Sequence, residues 1–306
     1  MTATTPAGET VRPMLRVRDL VPTYLGYAQA AADAPGERRP GWWRTHYLDR
    51  HPEIFAALDR DGDWSTGPDL VAVLDRLAGE GVDLAARSAA LRASLPDAVA
   101  TVSRAMGWAG DADPVDCVVL VGLHRANGWA DTLDDRLALF LAVEEFGGAD
   151  DDRLLVLHEA AHVVHDRLAG IRDWPGHGVA NALLTEGLAT LVSAETAPGL
   201  ADEAYLWCGR PGYRPWLDEC RRRWAEILGR ISADLDATDL DHYAPYFLMR
   251  DSPLVGDLPK RCGYLVGLAA VRRLREDHRL SEIASWDLHR VRAEIRQAVD
   301  DLAARA

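Results

Sequence analysis

The chain has 306 residues, 48% of them hydrophobic, enough for one large domain or two smaller ones built on a substantial core. Acidic residues outnumber basic ones 48 to 34, and the formal charge of −14 repels nucleic-acid phosphates and gives no support to a role at a membrane surface. No stretch approaches the ~18 uninterrupted apolar residues of a membrane span, residues 1–20 hold no apolar signal segment, and Cys117, Cys208, Cys220 and Cys262 form no CxxC pair, so a cytoplasmic chain without a disulfide framework or thiolate zinc site is expected.

Residues 1–112 read as a mostly helical region, with helices over 52–58, 67–77 and 83–106. Asp59-Arg60-Asp61-Gly62-Asp63 has the outline of a calcium loop, but its glycine stands two positions early and the twelfth position carries no acid, which leaves a solvated turn. Trp42-Trp43, close to Tyr47, belongs either to the core or to the wall of a substrate cleft. A second region, beginning near 113, supplies β-structure: segments 116–123 and 136–146 are rich in Val, Leu and Phe, and Asn127-Gly128 marks a turn between them. They are expected to form part of a small sheet.

The next segment carries the chemistry. Asp150, Asp151 and Asp152 suit the positive end of a helix and Gly170 closes it; between them Leu154, Leu157, Ala161, Val164 and Leu168 form an apolar stripe, with Val156 and Val163 on the opposite side. A helix buried on most sides follows. Its remaining strip carries His158-Glu159-Ala160-Ala161-His162. At ~3.6 residues per turn the two imidazoles project from one face, close enough to bind one metal ion. Two neutral imidazoles suit zinc, whose catalytic sites take three protein ligands and keep a fourth position for water, and Glu159 is placed to hydrogen-bond that water. The motif is short, so its helical context carries the assignment.

The third ligand is expected from the helix predicted over 179–194. There Glu186 interrupts an apolar pattern of Val179, Ala180, Leu183, Leu184, Leu188, Leu191 and Val192, and a carboxylate buried alone is costly unless a cation neutralises it. Gly187, next to it, permits another helix or a ligand to approach closely. His165 lies on nearly the same face as His158, but three ligands on one straight helix cannot readily surround an ion, so a place behind the ligands suits it better. His177 sits in the Trp174-Pro175-Gly176-His177-Gly178 loop, plausible beside a cleft but unspecific. The metzincin pattern fails, with His165 and Leu168 where glycine and histidine would stand. Further helices are predicted over 216–233, 260–277 and 286–304, and residues 242–246 read as a loop rich in hydrogen-bond donors.

Together these residues resemble the gluzincin zinc peptidases, in which a histidine pair and a downstream glutamate bind the metal, and most closely the DUF2268 family of predicted zinc-dependent proteases. The matching pieces are the His158 to His162 motif, Glu186-Gly187-Leu188-Ala189, and Arg261-Cys262-Gly263-Tyr264-Leu265-Val266-Gly267, all within residues 115–280. The resemblance implies an α+β, mostly helical, zincin-like metallopeptidase fold with a small mixed sheet and a buried HExxH helix. A helical region over 1–112 would precede a catalytic domain over 113–306 whose C-terminal part is helical.

It further implies Zn2+ held by His158, His162 and Glu186, and Glu159 as the general base that passes the water's proton to the leaving amine. In such peptidases an edge strand beside the metal helix holds an extended peptide; the strand around 137–143 is either that strand or an internal one with no edge free. Tyr264, by its place in the third motif, is the first choice to steady the oxyanion, with His242 and Tyr243 following; Arg261 could instead bind a substrate carboxylate. Thermolysin-like enzymes carry an aspartate four positions beyond the glutamate ligand, where this chain has Thr190, so whatever orients the histidines here must come from elsewhere.

Three functions stay open: a peptidase, a zinc enzyme acting on a small amide, ester or other metabolite, and a zinc-stabilised module without chemistry. Glu159 argues against the last, because structural zinc normally has four protein ligands and no use for a base.

Overall fold

The computed structural model describes residues 13–59, 63–66, 69–80, 83–147, 149–170, 176–250, 252 and 256–306. The N-terminal part runs β1 (Leu15–Asp19), α1 (Val21–Ala31), α2 (Arg39–His46), α3 (Pro52–Leu58), α4 (Asp63–Thr66), α5 (Leu70–Gly79) and α6 (Leu84–Met106). Then come β2 (Val115–Leu120), β3 (Gly128–Leu133) and β4 (Arg136–Ala142), followed by α7 (Ala149–Ala169) and α8 (Gly178–Thr196). The chain ends with α9 (Asp202–Leu206), α10 (Arg214–Arg222), α11 (Trp224–Asp234), α12 (Leu240–Phe247), α13 (Cys262–Asp277), α14 (Leu280–Ile283) and α15 (Leu288–Ala303). The fold is α+β and mostly helical, around one small mixed sheet.

The strand order is β1-β2-β4-β3, with β1, β2 and β4 parallel and β3 antiparallel to β4. This decides one open reading and corrects one expectation. The strand around 137–143 is β4, which is paired on both sides and offers no free edge; the edge is β3. The turn joining them is Asp134-Asp135, both with positive φ (51° and 64°), which matches the twist of a two-residue hairpin. Asn127-Gly128 instead opens the ladder, the Asn127 carbonyl accepting the Ala142 N–H at 2.8 Å. At the other edge Arg16 grips Asp116 of β2 through two hydrogen bonds of 2.6 Å, fixing the register in which those residues face each other.

Helix α7 ends as its sequence dictates. Gly170 adopts φ 65° and its N–H returns to the Asp166 carbonyl at 2.8 Å. At the other end Asp152 accepts the Gly147 N–H at 3.1 Å, while the side chains of Asp150 and Asp151 lie outside the described residues. Leu154, Val156, Leu157, Ala161, Val163 and Val164 are all buried. The first N–H groups of α8 are taken up by carbonyls of the segment after α11: Val179 by Ala237 at 3.0 Å and Ala180 by Leu235 at 3.1 Å.

Two further expectations change. The helix predicted over 216–233 is broken at Arg223, and 242–246 is not a loop but most of α12, capped by the Asp239 carboxylate on the His242 N–H at 3.0 Å. Pro245 is tolerated because the carbonyl it leaves unserved is that of Asp241, which is exposed. Trp42-Trp43 falls to the core reading: Trp43 is fully buried and donates to the Trp64 carbonyl at 2.7 Å, and Tyr47 accepts the Val121 N–H at 3.0 Å. Residues 60–62 of the Asp59 to Asp63 turn, and Trp174-Pro175, lie outside the described residues.

One hydrophobic core runs from Leu20 to Val299, across the boundary expected at 112. Within it α6 packs on α7, α7 also covers β3 and β4, and α8 is held between α7 and α13. Among the described residues no helix is long and apolar enough to cross a membrane.

Candidate metal centre

The metal-ligand pattern expected from sequence is assembled in three dimensions. α7 presents His158 and His162 toward Glu186 of α8, and one ligand atom from each residue lies within 4.8 Å of the other two. His158 Nε2 stands 3.1 Å from His162 Nε2 and 3.2 Å from Glu186 Oε2, and the His162–Glu186 distance is 3.5 Å. A tetrahedral ion with bonds of about 2.0–2.1 Å needs ligand atoms about 3.3 Å apart, so the three observed edges fit such an ion. The donor set, two imidazole nitrogens and a carboxylate oxygen, is one that zinc accepts.

The electrostatics are those of a tightly coupled buried cluster. Burial alone would raise the Glu186 carboxyl, but His162 and His158 overcome it and hold the group well below the usual carboxylate range. Burial would lower His162, yet Glu186 and then Glu159 raise it to about 8. Glu159 itself is raised, chiefly because it is buried and next because Glu186 is near, with both imidazoles opposing. His165 is lowered to about 4 by burial and by His162, and its buried Nε2 has no hydrogen-bond partner. It stands beside the cluster and outside the ligand set, where the helical spacing placed it.

These groups open into a cleft of about 760 Å3. The edge strand β3 forms one wall, from Gly128 to Thr132, and Trp207, Cys208, Arg210 and Tyr213 form another. Gly128 fits closely here: a methyl group on its Cα would stand 3.2 Å from Glu159 Cγ and 3.2 Å from Leu141 Cδ2, so a larger residue would press on the candidate base where the strand begins.

The structure brings His158, His162, Glu186, Glu159, Tyr264 and Arg261 together around this cleft. The Tyr264 ring lies against that of His158 (centroids 6.2 Å apart), and the Arg261 guanidinium lies over the Tyr264 ring at 4.1 Å. Burial raises the Tyr264 hydroxyl well above its ordinary value, so it stays protonated. Tyr243 is buried behind this wall, stacked on Phe247 at 4.9 Å and outside the lining.

His242, expected as a catalytic candidate, is not part of the cleft. Its Nδ1 is bound to its own helix cap, 2.8 and 2.9 Å from the Asp239 carboxylate oxygens. The helix that replaces the expected loop turns it away. His177 occupies the N-cap of α8 and also lies outside the lining.

Trp207, Cys208, Arg210, Tyr213 and Asn181 are cleft residues that sequence reasoning passed over. The stretch from Trp207 to Tyr213 carried a turn signal, Gly209 and Gly212 both taking positive φ, but nothing in its local pattern says that the turn faces α7. Comparison with known protein families, with curated proteins and with solved structures finds no match to this chain. Its chemistry therefore has to be argued from the site.

Proposed function

We propose that this protein is a zinc-dependent hydrolase of amide bonds, peptide bonds foremost, built on a zincin-like arrangement. The observation that carries the reading is the juxtaposition of a three-ligand cluster with a fourth, buried carboxylate, Glu159, next in sequence to one ligand and facing the same cleft. A structural site would be closed by a fourth protein ligand; among the described residues the cluster has three.

An ion held by His158, His162 and Glu186 would supply Lewis-acid polarisation of a carbonyl and a water acidified toward neutrality. The protein's own groups do the rest. Glu159, made more basic by burial, accepts the proton of the attacking water and delivers it to the departing nitrogen. Tyr264, kept protonated, is available as a donor to negative charge developing beside His158. β3 supports a peptide as the substrate, because the unpaired side of an edge strand offers main-chain donors and acceptors to an extended chain.

The test compares wild type with Glu159→Gln, both loaded with zinc, by metal analysis and by hydrolysis of a peptide mixture followed by mass spectrometry. The variant is expected to keep its zinc and lose roughly 10²- to 10⁴-fold in rate. A variant as active as wild type, or a wild type that binds no zinc, would overturn the proposal.

A further inference from the structure

We propose that Arg261 holds a carboxylate of the substrate, so that the bond cleaved is the one next to a terminal carboxylate and a free amino acid is released. The inference rests on the hydrolase reading above and narrows its substrate to acyl amino acids, whether the acyl part is a peptide or a small group.

Arg261 occupies a costly backbone conformation for its type. It is the N-cap of α13 with φ 65° and ψ 15°, a left-handed position that a residue with a Cβ adopts at a cost of order 1 kcal/mol. That conformation aims the guanidinium into the cleft, over the ring of Trp207 at 4.5 Å and that of Tyr264 at 4.1 Å. Aromatic faces attract a cation but offer it no acceptor, and Arg261 Nε is buried with no hydrogen-bond partner. Trp207 Nε1, also buried on this wall, has none either. Two unserved donors on side chains packed against each other call for a group that only accepts, and a carboxylate is that group.

Charge points the same way. Four arginines and four carboxylates (Asp131, Glu159, Asp166 and Glu186) line the cleft of a protein whose overall charge is −14. A divalent ion at the cluster tips this parity to net positive and neutralises Glu186, one of the carboxylates that faces Arg261. An anion is then favoured in this cleft of an otherwise acidic molecule. Arg210, by contrast, is already paired with Glu145 at 2.7 Å.

Distance sets how far the carboxylate lies from the bond broken. Arg261 sits 4.1 Å from the Tyr264 ring, which sits 6.2 Å from the His158 ring, so the guanidinium is within about 10 Å of that ligand. In an amino acid about 4 Å of chain at most separates the carbonyl carbon that is attacked from the terminal carboxylate carbon. A single residue, with its carboxylate on the guanidinium and its acyl carbonyl at the cluster, fits within that limit. The reaction needs water alone: its oxygen joins the acyl carbon as the C–N bond breaks, and its proton reaches the leaving amino nitrogen through Glu159.

The test uses zinc-loaded Glu159→Gln protein, so that binding is read without turnover. The twenty N-acetyl amino acids, and short peptides ending in the same residues, are offered as free acids and as amides, and binding is followed by ligand-observed NMR. At least one acid is expected to bind about tenfold or more tightly than its amide, with Arg261→Gln removing that preference and Arg261→Lys restoring part of it. Preference for N-acetyl amino acids over peptides identifies a small-molecule substrate, and the reverse identifies a carboxypeptidase; both support the proposal. Amides binding as well as acids, or no acid binding at 10 mM, about a hundredfold weaker than an ordinary substrate, would overturn it whether or not the Arg261 variants fold. Wild-type protein that cleaves amidated peptides as fast as free acids would overturn this inference and leave the hydrolase reading standing. Arginine-dependent binding without any cleavage would do the opposite.

Discussion

Two histidines on α7, three residues apart, meet opposite electrostatic fates. His162 faces Glu186 and is raised to about 8, whereas His165 has a buried, unpartnered nitrogen and is lowered to about 4. In the metal-free protein His162 therefore adds stability that is full below the ordinary histidine value of 6.5 and is lost as pH rises through 8. His165 works on the other side: as pH falls from 6.5 toward 4 the unfolded chain takes up a proton that the native state refuses, a loss of at most about 3 kcal/mol. Replacing His165 by Gln is expected to reduce the drop in stability between pH 7 and pH 5 by about 2 kcal/mol, read from urea unfolding in the presence of a chelator. If the two proteins lose the same amount, the neutral burial of His165 is refuted. At this scale the sequence was readable where residues share one helix: the spacing that put His158 and His162 on one face also put His165 beside them and left it out of the ligand set. Glu186 was legible because an acid in an apolar pattern needs a cation. Trp207 and Arg210 were not, since a residue's facing across a cleft is set by packing with no local periodicity.

The crossing of α8 and α13 explains both glycines of the motifs that carry them. Gly187 and Gly267 meet there: a methyl group at Gly267 would stand 2.5 Å from the Leu183 carbonyl oxygen and 3.2 Å from the Gly187 nitrogen, backbone atoms that cannot swing aside. The candidate ligand Glu186 precedes one glycine, and Tyr264 lies one turn before the other, so the contact sets the distance between the His-His-Glu cluster and Tyr264. Gly267→Ala is expected to cost about 3 kcal/mol or more and to weaken zinc binding, whereas Gly229→Ala, in α11 with open space around it, should be stabilising by up to about 1 kcal/mol. Chemical denaturation of the two variants checks the pair; equal effects would refute the close crossing as the reason for Gly267. Long helices such as α6, α7 and α8 announced themselves through apolar periodicity. The short strands did not: β1 reads Leu-Arg-Val-Arg-Asp and β3 reads Gly-Trp-Ala-Asp-Thr-Leu, five and six residues with charges among them, and their pairing comes from distant partners. Which strand lies at the edge is likewise a property of the assembled sheet, which is why the place of β4 stayed open and β3 was not read as the edge.

At the scale of the molecule, the candidate ligands come from α7 and α8, and those helices are tied into everything else. α7 covers β3 and β4, α6 packs on α7, β1 completes the sheet from the N-terminal side, and α8 is clasped by α13 and α15. Among the described residues the buried cluster that results runs from Leu20 to Val299. Zinc bound at the cluster should therefore stabilise the whole chain as one unit. With free zinc at a hundred times its dissociation constant the gain is about 2.7 kcal/mol, which moves the midpoint of thermal unfolding up by several degrees. Scanning calorimetry is expected to show a single transition with chelator and a single, later one with zinc. Two transitions, only one of them answering to zinc, would mean that residues 1–112 fold apart from the rest. The same continuity predicts that residues 113–306 made alone will not fold cooperatively, because β2 would lose β1 along one edge and α7 would lose the cover of α6, exposing apolar surface on both.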